Sequence, residues 1–195
     1  MKLRGGGIIL ESIVDERSML QEHIRRRETA WEKGVVSPGR RETRFHHKSK
    51  FILVTGSSAE TIREIATSLE ERLFEEGFLA YYLGIASLDH GLDSDVLDAF
   101  EQREERLRRL GELARILTDS GQIFITSLTD LDPYDRELLR SLNAPNEVLV
   151  VNVGLENRLG KAESIEVPQG EDTATAVNRI GLLLKQKDII PDYSI

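Results

Sequence analysis

The 195-residue sequence predicts an α/β domain of three layers around a mostly parallel sheet, preceded by a charged N-terminal arm. Two observations carry that expectation. After residue 50, short continuous apolar runs alternate with longer stretches whose apolar residues recur every three or four positions. That is the pattern of strands buried on both faces and joined by helical crossovers. The composition, 39% hydrophobic and 31% charged, is that of a globular chain with one sizeable core, and zero cysteines exclude disulfides, thiolate catalysis and cysteine-held metal.

In order along the chain, Phe51–Thr55 (FILVT) reads as the first strand, broken by Gly56-Ser57-Ser58. From Thr61 to Glu76, Ile62, Ile65, Ala66, Leu69 and Leu73 share one helical face, and Gly77 is placed to end the helix. Leu79–Leu83 is the second strand. Leu107, Leu110, Ala114 and Leu117 stripe a long helix over about Phe100–Thr118, whose other faces are charged. Gln122–Ser127 and Glu147–Val153 supply two more strands, separated by a helix starting near Pro133, and an amphipathic helix spans about Thr173–Lys187. We expect two regions, an arm over 1–50 and the α/β domain over 51–195.

The net charge is −8, but between His23 and Lys50 nine Lys or Arg face three Glu, a local +6 that leaves −14 elsewhere. Such an arm suits a solvated linker, phosphates, or the domain's own acidic face. Its single Trp and single Phe offer little base stacking, so nucleic acid is not the expected partner. Ile8, Ile9, Leu10, Ile13, Val14 and Leu20 give its first half apolar anchors for a neighbouring subunit or protein. The chain has no apolar run of the ~18 residues needed to cross a bilayer, and its start lacks the apolar stretch of a secretory signal. We therefore expect a cytoplasmic protein without membrane contacts.

The loop after the first strand decides the expected chemistry. A phosphate-binding loop of the form G-x-x-x-x-G-K-[ST] cradles phosphate with backbone N–H groups, while its Lys neutralises charge and its hydroxyl holds Mg²⁺. Here the segment reads Gly56-Ser57-Ser58-Ala59-Glu60-Thr61-Ile62-Arg63. Thr61 stands at the second glycine, Ile62 at the lysine and Arg63 at the hydroxyl, and Glu60 adds a negative charge where a triphosphate would lie. Ser57 and Ser58 either hold an anion through backbone donors or cap the helix. The adjacent His46-His47 are read as linker histidines rather than metal ligands, because neighbours in an extended chain seldom face one ion.

The stretch from Thr55-Gly56 to Phe78, with IATSLEERLFEEGF after the loop, resembles the start of adenylylsulfate kinase (APS kinase). The likeness runs on through Asp89-His90-Gly91-Leu92-Asp93, similar to that family's R-H-G-L-N, through Arg103–Ser120, and through the strand Gln122–Thr126. The resemblance implies a P-loop-kinase-like fold, with His90 as a turn or packing residue. Departures fall on the family's functional positions. Gly84, Ile85, Ala86, Ser87, Leu88 and Asp89 stand where the family has D-G-D-N-V-R; Thr129-Asp130-Leu131-Asp132-Pro133 replace I-S-P-Y-R, and the basic lid is missing after Val153. Gly5-Gly6-Gly7-Ile8-Ile9-Leu10 resembles the end of a β-barrel in the translation-factor-like GTPase that forms the large subunit of sulfate adenylyltransferase. That likeness suggests the C-terminal domain of a GTPase and APS kinase fusion.

The expectation is then a degenerate member of the APS kinase family, a catalytically silent dimerisation or docking module in sulfate activation. Its partner is a second copy or the sulfate adenylyltransferase GTPase subunit. Its phosphate loop (Gly56, Ser57, Ser58, Thr61, Ile62, Arg63) is non-functional, Arg103 and Arg108 are candidates for a residual anion site, and no metal or cofactor is expected. The alternative is a divergent kinase that phosphorylates the ribose 3′-hydroxyl of adenylylsulfate with ATP and Mg²⁺.

Overall fold

A computed structural model of the chain describes residues 6–85, 87, 99–154 and 164–192. The expectations for Ala86 and for Leu88–Asp93, His90 included, lie outside them. The chain divides into two compact units, Met1–Val35 and Val36–Ile195.

In the first unit, α1 runs from Gly6 to Ala30. Residues Gly6–Leu10, similar in sequence to a barrel strand, are thus helical in this chain. Charge spacing favours that outcome further along. Glu22 takes Arg25 at 2.8 Å and Arg26 at 2.7 Å, one and the same carboxylate serving i+3 and i+4. Hydrogen bonds from Arg25 first and Arg26 second hold the Glu22 carboxyl at a pKa of about 2.

The second unit begins with α2 (Pro38–Phe45), where Ser37 is the N-cap, Pro38 occupies the first turn, and His46 ends the helix in the left-handed conformation at φ 58°. Residues 36–50, read from sequence as arm, belong to this unit. Arg41 Nη1 donates to Ser120 O at 3.3 Å, and Lys48 N–H donates to Ile189 O at 2.8 Å. His47 is buried between the rings of Phe45 and Phe78, and its Nε2 accepts the Leu79 N–H at 3.2 Å. Nδ1 lies 3.2 Å from Lys48 O, so the neutral tautomer carrying its proton on Nδ1 satisfies both nitrogens. Burial lowers the His47 pKa below its ordinary value. Far from being a linker residue, it joins α2 to the second strand.

The remaining elements are β1 (Lys50–Gly56), α3 (Ala59–Glu75), β2 (Ala80–Tyr82), α4 (Ala99–Asp119), β3 (Ile123–Thr129), α5 (Pro133–Asn143), β4 (Val148–Val153), β5 (Ser164–Val167) and α6 (Thr173–Gln186). The strands form one sheet in the order β2-β3-β1-β4-β5 with every pairing parallel. All four strands expected from the sequence are present. β5 is an addition: its four residues carry only Ile165 and Val167 inward, too short a period-two signal to stand out.

Alternation along each strand divides the core. Ile52, Val54, Ile123, Ile125, Leu149 and Val151 pack under α3 and α6 with Ile62, Ile65, Leu69, Leu73, Ile180 and Leu184. Phe51, Leu53, Phe124 and Val150 point to the opposite face, where Phe51 stacks on its register partner Phe124 at 5.2 Å. On the α4–α5 side, α4 and α5 cross so closely at Gly111 that a Cβ there would stand 2.6 Å from Leu142 Cβ.

Candidate functional site

In an open parallel sheet, ligands gather at the carboxyl ends of adjacent strands whose connections leave in opposite directions. β1 leads through α3 to β2 at one edge, whereas β3 leads through α5 to β4 across β1. A cavity of about 310 Å³ lies at that switch point. It is lined by Ile62 and Arg63 of α3, Tyr82 and Gly84 after β2, Arg103 and Arg106 of α4, and Ser127 and Thr129 of β3.

The local structure of the loop differs from a phosphate cradle. Ser58 is the N-cap of α3, so the helix already begins at Ala59. The Thr61 N–H donates to Ser58 Oγ at 3.3 Å and the Ile62 N–H to Ser58 O at 3.1 Å. Two backbone donors that a wide loop would turn toward phosphate are therefore taken up by the helix. Of the two roles open to Ser58, the cap is the one its hydrogen bonds describe. Ile62, at the lysine position, is 2% exposed and forms part of the core beneath α3. The surviving Gly56 has a packing reason: a Cβ on it would stand 2.7 Å from Val153 O and 3.0 Å from Ile62 Cγ2. Arg63 is exposed and carries no hydroxyl for a metal. At the loop's lysine and hydroxyl positions, Ile62 and Arg63 supply neither the ammonium nor the hydroxyl that would hold Mg·ATP.

The two arginines read from sequence as a residual anion site are not brought together. Arg103 lines the cavity, and its Nη2 meets Asp135 Oδ2 at 2.5 Å and Asp130 O at 3.1 Å. The hydrogen bond that Arg103 donates to Asp135 raises the Arg103 pKa. Asp135 itself is buried, and it completes a capping box with Asp132 at the start of α5. Arg108 does not line the cavity; it and Arg109 hold Glu105 at 2.7 Å each, which brings the Glu105 pKa to about 2. Arg106 and Arg63 take the place beside Arg103 that the sequence assigned to Arg108. Helical phase contains that signal, since Arg103, Arg106 and Leu107 lie three and four apart on one face while Arg108 is turned away. Sequence reading also missed the polar wall in which Tyr82 Oη and Ser127 Oγ are 3.0 Å apart. Glu70 Oε1 accepts the Tyr82 N–H at 2.6 Å and so holds the edge strand in place.

Parallel strand order, a helix entered directly from β1 and a cavity at the switch point define a domain of the P-loop kinase architecture. The family model for adenylylsulphate kinase matches residues 48–164. The chain belongs to that family. The adenylyl-sulfate kinase of Staphylococcus epidermidis is 34% identical over 123 residues, 62% of this chain and 61% of that protein. The adenylyl-sulfate kinase of Vibrio vulnificus is 34% identical over 128 residues, 65% of this chain and 62% of that protein. The chain thus spans about three fifths of the length of these relatives. Among solved structures, an APS kinase of Mycobacterium tuberculosis superposes with a TM-score of 0.62 at 24% identity, covering 71% of this chain and 99% of that one. A hexameric APS kinase from Thiobacillus denitrificans gives 0.65 at 20% identity, covering 74% and 30%. These superpositions establish the shared fold. No described helix is long and apolar enough to cross a membrane.

Proposed function

We propose that this domain keeps the adenylyl-sulfate kinase fold without phosphoryl transfer and serves as a dimerisation or docking module in sulfate activation. A second copy or the GTPase subunit of sulfate adenylyltransferase is its expected partner, and a cytoplasmic location belongs to the same proposal. The observation that supports this most directly is the start of α3 at Ala59, with Ile62 packed into the core where the phosphate-binding lysine would stand. Losing the cradle, the lysine and the metal-holding hydroxyl together removes several contributions to transition-state stabilisation, and each ~1.4 kcal/mol lost is about tenfold in rate. The test is calorimetry with Mg·ATP beside a product assay on ATP and adenylyl sulfate. Neither heat nor product is expected. Product above the level of an Ala86→Arg variant, altered where the family has an aspartate, overturns the reading.

A second reading is a divergent ATP-dependent adenylyl-sulfate 3′-phosphotransferase. The names of the relatives favour it, and so does the cavity that brings Arg63, Arg103 and Arg106 to the carboxyl ends of the strands. It requires measurable Mg·ATP affinity that falls on Arg63→Ala, an outcome the first reading does not allow.

A further inference from the structure

The opposite end of the sheet, where the strands begin, carries a second and larger concavity. Two adjoining cavities of about 500 and 460 Å³ share Lys50, Pro145, Asn146, Glu147, Lys187 and Ile189. Their lysines come from two segments distant in sequence. Lys50 opens β1, Lys48 precedes it with its N–H bound to Ile189 O, and Lys187 is the C-cap of α6.

A carboxylate, Glu147, lines both cavities beside them. Glu147 forms an ion pair with Lys50, whose side chain is only 11% exposed, while Glu147 is 80% exposed. Lys50 first, then Lys187 and Lys48, hold the Glu147 carboxyl below its ordinary pKa. Lys48 and Lys187 are exposed. A largely solvated carboxylate contributes little to stability and swings aside readily. With Glu147 turned out, the Lys50 ammonium and the exposed Lys48 and Lys187 face the groove.

We propose that this groove docks an acidic peptide segment of a partner protein, whose carboxylate takes the position of Glu147 among Lys48, Lys50 and Lys187. Pro38, Ala144 and Pro145 supply the apolar surface along it. The chemistry selects this occupant over other anions. Three of the four cations along it are lysine ammoniums, point charges without the fork that grips phosphate bidentately, and the one guanidinium, Arg140, lines only the 500 Å³ cavity. At about 500 and 460 Å³ the two cavities far exceed the volume of one small ion. Glu42 and Asp119 also line it, and they oppose a continuous phosphate backbone while leaving room for a peptide with spaced charges. Asp119 is itself paired with Arg115 at 3.0 Å, so Glu42 is the principal counter-charge. The site stands whether or not the far end of the sheet transfers phosphate, because the two cavities share no residue with the one at the carboxyl ends.

The experiment is fluorescence anisotropy of the full chain with a labelled peptide of alternating Glu and Leu, against inorganic phosphate and a single-stranded oligonucleotide of equal charge. Binding should weaken about tenfold or more in the double variant Lys48→Glu, Lys187→Glu, strengthen several-fold in Glu147→Gln, and fall with salt. Circular dichroism checks folding, and Lys48→Gln with Lys187→Gln repeats the test without charge reversal. Absence of peptide binding, affinity unchanged in both lysine variants, or an oligonucleotide or phosphate that binds as tightly as the peptide each overturns the proposal. Mg·ATP calorimetry on the same protein reads the opposite cavity separately.

Discussion

Replacing Ile62 by lysine restores the family's phosphate-loop residue on paper, yet the structure makes it a core mutation. Ile62 is 2% exposed and lies under α3 against the β1 end, close enough that a Cβ on Gly56 would stand 3.0 Å from its Cγ2. Removing that side chain from the core forfeits about 1.5–3 kcal/mol of apolar burial. The lysine ammonium is then left to desolvate at a cost of several kcal/mol or to extend into the 310 Å³ cavity, where Arg63, Arg103 and Arg106 already gather positive charge. The extended arrangement sets the lower bound, so Ile62→Lys should destabilise by about 3 kcal/mol, whereas the control Ile62→Val should cost about 0.5–1.5 kcal/mol. Urea unfolding followed by circular dichroism measures both, with an unchanged m-value required for the comparison. A variant within ~1 kcal/mol of the parent that also gains Mg·ATP affinity would refute the reasoning, since it would mean that the loop opens without disturbing the core.

Three further outcomes follow from the packing. Gly111→Ala forces a Cβ to within 2.6 Å of Leu142 Cβ, so overpacking should cost about 1–3 kcal/mol, with partial recovery when Leu142 is shortened to Val. Arg103→Ala leaves the buried Asp135 without its guanidinium; because Arg103 is 54% exposed, the loss should be about 1–2 kcal/mol, and a double-mutant cycle with Asp135→Asn should return a coupling of the same order. His47 has a folded pKa below its unfolded value, so the unfolded state binds more protons as the solution is acidified. Its contribution is complete above the unfolded pKa of ~6.5 and is lost as pH falls through the depressed folded value. Stability measured from pH 8 down to 5 should therefore decline more steeply in the parent than in His47→Gln, and parallel curves would count against the buried neutral tautomer.

Local pattern alone was sufficient for the sheet and its helices. Continuous apolar runs such as Phe51–Val54 and Val148–Val151 have no polar side to offer water, so they lie between two helical layers whatever the order of strands. The stripe Ile62, Ile65, Ala66, Leu69 and Leu73 likewise marks the buried face of α3 from its period. The departures from a phosphate loop were equally plain in Thr61, Ile62 and Arg63, because they are changes of chemistry at fixed spacing. What those residues do instead was decided by the tertiary structure. Of the two roles the sequence left open to Ser58, the structure shows the cap, which starts α3 at Ala59, two residues before the apolar period announces. The pairing of Arg103 with Asp135 spans 32 residues, and the junction of His47 with Leu79 also spans 32. Such contacts depend on the path of the chain between them. Charge totals could mark residues 23–50 as basic, but Lys48, Lys50 and Lys187 line the same concavity as Glu147 only because the starts of β1 and β4 and the end of α6 are brought to one end of the sheet. Periodicity records which side of an element is buried; which charges meet is a property of the folded topology.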